Sequence, residues 1–396
     1  MSNIKKYCIY TTLYSIGFTF STGAIMQAFL LQVGFDENQV YVLNSVMQIM
    51  QVVMMLILTF LSGKIKRVKL VTSISCTSLS ILTGVFLMGA INPNLIKHGY
   101  VIAVFIVAGI SYVGVGLYTI LSYCLPYYTI DMKDYGKMTG VSTAIAGGAS
   151  FLMSLLYTLL LSKFSYMKTT SSFFIVAIVC FILTGIMCAS MQVKGAGVER
   201  EEKTDFLAVF KNKTTYVLLI PNFVRGLSVG VFNVIATIAI STSILNEKNA
   251  PYVSVILQVA TFLANLFFAF AYKKLSTKNL LLFSTIGVAL SFPLCLEFGV
   301  VGFFVCFTVA SFFKFVIDTA IPVVITEIIP KEQIGPYTSI RMLIFTGAQA
   351  VGPLLITPLE GAIGYTGVLI FATVMLFICG VTYYAVAKSV KNIKQE

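Results

Sequence analysis

Short polar connections cut this chain into twelve apolar runs, each close to the length of about twenty residues that a helix needs to cross a bilayer. The runs cover residues 7–31, 39–62, 70–90, 99–122, 139–161, 171–191, 215–242, 252–271, 279–297, 300–326, 337–359 and 364–387. In hydrocarbon every backbone N–H and C=O must be satisfied within the protein, and a helix does this inside one segment. The pattern therefore predicts an all-α membrane protein with twelve transmembrane helices. Composition agrees: 58% of residues are hydrophobic and only 11% charged, against about 25% charged in soluble domains. The first run is too long for a signal-peptide core and more apolar sequence follows it, so it is expected to stay in the protein.

Several classes of chemistry lose support at once. The eight cysteines stand singly in apolar runs without CxxC or paired spacing, and read as small core hydrophobes. The single histidine, His98, lies in a polar connection beside Asn92, Pro93 and Asn94, so no histidine cluster is available for a metal. No metal site and no cofactor are expected. No nucleophile, base and orienter fall together and no GxxxxGK[ST] loop is present, so the chain is not expected to be an enzyme. The net charge of +12 is spread between the spans rather than gathered in one domain, which argues against nucleic acid as a partner.

The positions of lysine and arginine predict the orientation, because basic loops are retained on the cytoplasmic side. With the N-terminus inside, 21 of the 27 basic residues fall in cytoplasmic segments and four (Lys97, Lys163, Lys168, Lys248) fall outside. Arg341 is counted among the first group, at the mouth of the eleventh span. Two remain within the membrane: Arg225 and Lys314. The sequon Asn212-Lys213-Thr214 is then cytoplasmic and expected to carry no glycan.

The most charged connection, 192–214, divides the chain into a six-helix half at 1–191 and another at 215–396. The halves resemble each other at an offset of about two hundred residues. Phe60-Leu-Ser-Gly-Lys64-Ile-Lys66-Arg67-Val-Lys69-Leu70 aligns with Phe270-Ala-Tyr-Lys273-Lys274-Leu-Ser-Thr-Lys278-Asn-Leu280, which places Gln48 opposite Gln258. Likewise Asp131-Met-Lys-Asp134-Tyr-Gly136 matches Pro330-Lys-Glu332-Gln-Ile-Gly335. An even number of helices per half gives parallel repeats.

Twelve spans, two parallel six-helix repeats, a long central loop and basic loops after the second and eighth spans resemble the major facilitator superfamily. The segment Glu327-Ile-Ile-Pro330-Lys-Glu332-Gln-Ile-Gly335 is similar to that family's signature at the end of the tenth helix. Other signatures are partial or missing. Thr59, Gly63, Lys66 and Arg67 stand where the loop motif after the second helix expects an aspartate, glycines and basic residues. The fourth span has no arginine, the fifth has no glycine-proline pair, and Gly352-Pro353 lies in the eleventh instead. The resemblance implies that the first, fourth, seventh and tenth helices line a central cavity. It also implies transport by alternating access, with the missing antiporter signatures arguing against drug export by proton exchange.

Candidate solute contacts follow from polar groups inside the spans. In Ser311-Phe-Phe-Lys314-Phe-Val-Ile-Asp318-Thr319-Ala-Ile-Pro322 a lysine and an aspartate share one helix face. A charge at bilayer depth costs about 3 kcal/mol or more and marks either a solute path or a self-neutralising pair. Arg225 lies ten residues into the seventh span and Asp318 eight residues before the end of the tenth, so the two are expected to face each other. Two cations and one acid leave a surplus positive charge, which suits an anionic or strongly polar solute group. Asp318 is expected to neutralise the empty site or to carry a coupling proton, with the first role favoured. Amides at Asn222, Gln48 and Gln258 and an aromatic ring at Tyr118 complete the candidate set. For Gln48 and Gln258, hydrogen bonding between helices is an equal alternative.

The sequence thus predicts a secondary transporter for a small polar or anionic solute, a sugar or an organic acid. Proton-coupled uptake across the cell membrane is expected, with the bilayer, the solute and protons as partners, both termini cytoplasmic and the chain a monomer. The alternatives are a small-molecule or drug exporter and, from another class, a non-transporting membrane sensor or scaffold.

Overall fold

A computed structural model describes residues 2–61, 68–92, 99–129, 132–192, 213–246, 248–271, 274–329 and 331–393. His98, the basic run Lys64 to Arg67, residues 193–212 of the expected linker and Pro330 lie outside these, as do the side chains of Tyr123, Glu327 and Glu332. All twelve apolar runs fall on helices. The first six spans are Asn3–Ser21 with Gly23–Gln32, Glu37–Leu61, Val68–Ser75 with Ser78–Ile91, Gly99–Thr129, Met132–Leu161 and Tyr166–Ala189. The second six are Lys213–Val217 with Leu219–Asn233 and Ile235–Ser241, Tyr252–Ala271, Thr277–Ser291, Gly299–Ile328, Lys331–Leu354 and Ile356–Ile393. Ten of the described helices are long and apolar enough to cross a membrane. The eighth offers a shorter apolar stretch, Tyr252–Phe268, and the eleventh opens on the polar residues Lys331, Glu332 and Gln333.

The outward faces are apolar as lipid demands: Val301 is 76% exposed, Leu290 70% and Ile91 66%. A soluble protein would hide such side chains in water, whereas here the hydrocarbon is their solvent.

By contact the chain divides into two compact units, Met1–Glu199 with Asn246–Gln258, and Arg200–Leu245 with Val259–Glu396. In the first unit, the first span packs on the fifth and sixth, the third on the fourth and sixth, and the second on the fourth. Its core is aromatic: Phe20, Phe29, Phe86, Tyr157, Phe174 and Phe181 are fully buried. The Phe29 and Phe174 rings meet edge to face at 5.0 Å. In the second unit the seventh span packs on the eleventh and twelfth, and the ninth on the tenth and twelfth. Apart from the second-on-fourth contact these are the same pairings, counted from the start of each half, so the repeat seen in the loops extends to the packing.

Glycine sets the closest approach between helices. A Cβ on Gly226 would lie 2.4 Å from the Phe345 carbonyl oxygen, and one on Gly230 would lie 2.5 Å from that of Gln349. With Ala348 and Gly352 opposite, the seventh and eleventh helices meet backbone to backbone, the small-residue contact through which membrane helices gain dispersion energy.

The backbone departs from single straight helices at several points that hydropathy does not mark. The first span breaks at Thr22, where Gly23 takes φ 62°. The eleventh ends at Leu354 rather than 359, and the twelfth begins at Ile356 and kinks at Gly364, where φ is 68° and ψ 171°. A left-handed φ is cheap only for glycine, which explains the residue at both turns.

Candidate functional site

Arg225 projects from the middle of Leu219–Asn233, with Lys314 and Asp318 one turn apart on Gly299–Ile328. The expected meeting of the two helices occurs. Arg225 Nη2 donates to Asp318 Oδ1, and Lys314 Nζ lies 2.9 Å from Asp318 Oδ2. Each carboxylate oxygen therefore holds one cation. Pro322, one turn beyond, has no N–H to give the Asp318 carbonyl, so the helix is locally loosened beside the ion pairs.

Aromatic faces flank both cations. The Arg225 guanidinium carbon is 4.4 Å from the centre of the Phe345 ring. Lys314 Nζ is 4.4 Å from that of Phe315 and 5.6 Å from that of Phe232. Cation–π contacts contribute about 0.5–2 kcal/mol, less than the several kcal/mol lost when each ion leaves water. The rings offset only part of the surplus charge. Arg225 Nε is buried and has no hydrogen-bond partner among the described residues, so the guanidinium retains donor capacity.

Asn222, one turn before Arg225, is fully buried; its amide nitrogen is bonded, whereas Oδ1 has no hydrogen-bond partner among the described residues. Its amide nitrogen is 2.6 Å from the Leu218 carbonyl, 2.6 Å from the Tyr383 hydroxyl and 3.2 Å from the Tyr337 hydroxyl. Through its nitrogen it ties the seventh helix to the eleventh and twelfth. Arg341 is a further cation that the loop count misplaced. It is 8% exposed, inside the eleventh helix, and near enough to Tyr337, Tyr383 and Cys379 to act on each electrostatically.

Gln48 and Tyr118 come together in the first unit. They line a pocket of about 390 Å³ with Tyr14, Ser15, Phe18, Gln51, Tyr112, Val115, Thr119 and Ser122. Tyr118 stacks on Tyr14 with ring centres 4.0 Å apart. Gln51 donates to the Thr119 hydroxyl at 3.3 Å, and Ser15 pairs with Ser150 at 2.8 Å. Gln258, the repeat partner of Gln48, is half-buried. Farther along its helix Asn265 accepts from Thr319 at 3.0 Å, a helix-to-helix bond of the ordinary kind. Tyr14, Ser15 and Thr119 went unread as site residues, because a tyrosine or hydroxyl in a run rich in both carries no sequence signal of its own.

The sequence pattern described as Major Facilitator Superfamily matches residues 218–395. No curated protein matches the chain. Among solved structures, the nucleoside transporter NupG superposes with a TM-score of 0.66 at 14% identity, covering 100% of both chains. A bacterial homologue of the iron transporter ferroportin in an inward-facing state gives 0.74 at 13% identity, covering 97% of this chain and 98% of the other. A D-xylose-proton symporter gives 0.70 at 16% identity, covering 96% and 97%. Residues 218–395 match the sequence pattern of the major facilitator superfamily, and the whole chain shares the fold of these solved transporters.

Proposed function

We propose that this transporter takes up a small polar or anionic solute, a sugar or an organic acid, together with protons. The carrying observation is the single carboxylate of Asp318 shared by Arg225 and Lys314. In the empty site Asp318 neutralises one of two buried cations. A solute anion that engages Arg225 or Lys314 displaces the carboxylate and lowers the local charge by one. A proton taken up by Asp318 restores it. Each anion would then travel with one proton, and rocking of the two halves would expose the site to either side in turn. A D-xylose-proton symporter shares the fold, which supports symport as a mode this architecture sustains. The excess of basic residues in one set of loops supports cytoplasmic termini and residence in the cell membrane.

A solute-stabilisation screen of purified protein identifies the anion, and the same screen on Arg225→Ala tests the anchor. A solute that stabilises both equally removes Arg225 from its site. Reconstituted Asp318→Asn protein should bind the solute but lose accumulation driven by an imposed pH gradient. Growth on candidate carbon sources, set against resistance to toxic compounds, separates uptake from export.

A further inference from the structure

We infer that the first unit holds a site for a soft monovalent metal ion of the copper(I) class, between the thiols of Cys76 on the third span and Cys188 on the sixth, with the Met191 thioether beside them. The site goes beyond the transporter reading: Arg225 and Asp318 belong to the other unit, and neither takes part in it.

The two cysteines stand 112 residues apart in the chain and carry no metal-binding spacing, yet the fold gathers them. Cys76, Cys188 and Met191 are each buried, in one core cluster with Tyr10 and Leu125. The third and sixth helices approach closely there. The Ser73 hydroxyl donates to the Gly185 carbonyl at 2.7 Å, and a Cβ on Gly185 would lie 2.6 Å from Thr77 Cγ2. Both thiols donate to carbonyls of the third helix, Cys188 to Lys69 at 3.8 Å and Cys76 to Ser73 at 3.1 Å. Those carbonyls are four residues apart, about 6 Å along the axis at 1.5 Å per residue, which puts the two sulfurs on the order of one turn apart. Cys188 is close enough to act on Cys76 electrostatically. Met191 turns back onto the pair, its N–H donating to the Cys188 carbonyl at 3.2 Å.

Thiolate and thioether ligands select soft ions. Zinc takes four ligands in a structural site, and among the described residues no three histidine, cysteine, aspartate or glutamate side chains gather around one point. A two-coordinate ion between thiolates needs the sulfurs about 4.6 Å apart, at about 2.3 Å per metal–sulfur bond, a span within reach of rotation about χ1 of each cysteine. On binding, each thiol gives its proton to solvent. Two thiolates and a monovalent cation leave one negative charge, and the Lys69 ammonium, 3.1 Å from the Met191 carbonyl, is placed to balance it. A divalent ion in the same setting would leave a surplus positive charge, which is costly where water is excluded.

Transfer of copper(I) from its bicinchoninate complex to the purified, reduced full-length chain in detergent tests this, read as loss of the complex's colour. The wild type should take up a single equivalent, which Cys8→Ser keeps and zinc(II) does not displace. Cys76→Ser, Cys188→Ser and the double variant should each lose that same equivalent. Copper(I) should also raise the unfolding midpoint of the wild type and leave that of the double variant unmoved. Should a serine variant fold poorly, Met191→Leu, a swap of nearly equal volume, should keep the metal with several-fold weaker affinity. The inference is overturned if the wild type takes up none, if either serine variant keeps the equivalent at unchanged affinity, or if Met191→Leu binds as tightly as the wild type. It is overturned equally if the two serine variants lose separate equivalents that add in the double variant, because the thiols would then bind metal independently.

Discussion

Asp318 holds a cation on each carboxylate oxygen, so its removal and the removal of a cation are unequal events. Asp318→Ala strands two positive charges in a low-dielectric interior, whereas Lys314→Met leaves a one-to-one pair with Arg225. Breaking a buried ion pair from one side costs about 3–5 kcal/mol. We expect Asp318→Ala to lower the unfolding midpoint well below that of Lys314→Met, measured on the detergent-solubilised protein without solute. Equal losses would mean that one of the two cations does not depend on the carboxylate. Asn222 makes the opposite kind of prediction. Its amide lies among Leu218, Tyr337 and Tyr383, so Tyr383→Phe should cost about 1–3 kcal/mol of stability and leave solute affinity unchanged. Arg225 and Asp318 were legible in the sequence because an ionised group in an apolar run is rare and its depth can be counted in residues. Asn222 was less legible for the converse reason: an amide in a span reads the same whether it faces a solute or two tyrosines. Arg341 was misjudged because a basic residue near a span end looks like a topological anchor.

The seventh and eleventh helices present an element-scale dependence. A Cβ at Gly230 would fall 2.5 Å from the Gln349 carbonyl and 2.9 Å from the Gly352 Cα, and backbone atoms cannot rotate aside. Overpacking of this kind costs about 1–3 kcal/mol. Gly230→Ala should therefore lower the unfolding midpoint and displace Arg225, which rides on the same helix, so solute affinity should fall with it. Gly147 in the fifth span is the control. A Cβ there meets nothing within 4 Å, and Gly147→Ala should be neutral or slightly stabilising. The apolar runs located every span, because the bilayer requires a minimum length of apolar helix. They did not locate the breaks at Thr22 and Val234, since hydropathy is blind to φ and ψ. These two interruptions fall at nearly equivalent places in the two halves, in the first helix of each, and only the folded backbone displays them.

At the scale of the whole molecule the clearest signal is the distribution of charge. With Arg341 set aside, twenty basic residues fall in one alternating set of segments and four in the other, a bias that sets orientation during insertion. The fold alone does not distinguish the two sides, because an apolar bundle has no intrinsic up or down. Two exposed serines report on it. Ser162 follows the fifth span, in the sparsely basic connection that contains Lys163. Ser190 ends the sixth span, where Lys6 donates to its carbonyl and Lys69 donates to that of Met191 at 3.1 Å. On a cysteine-depleted background, Ser162→Cys should react with a membrane-impermeant maleimide added to intact cells, while Ser190→Cys should react only after the cells are opened. The opposite labelling would invert the orientation and place the termini outside, and with them the direction in which a proton gradient could drive the solute. Labelling of both sites in intact cells would show a mixed population, meaning that the charge bias is too weak to fix a single topology.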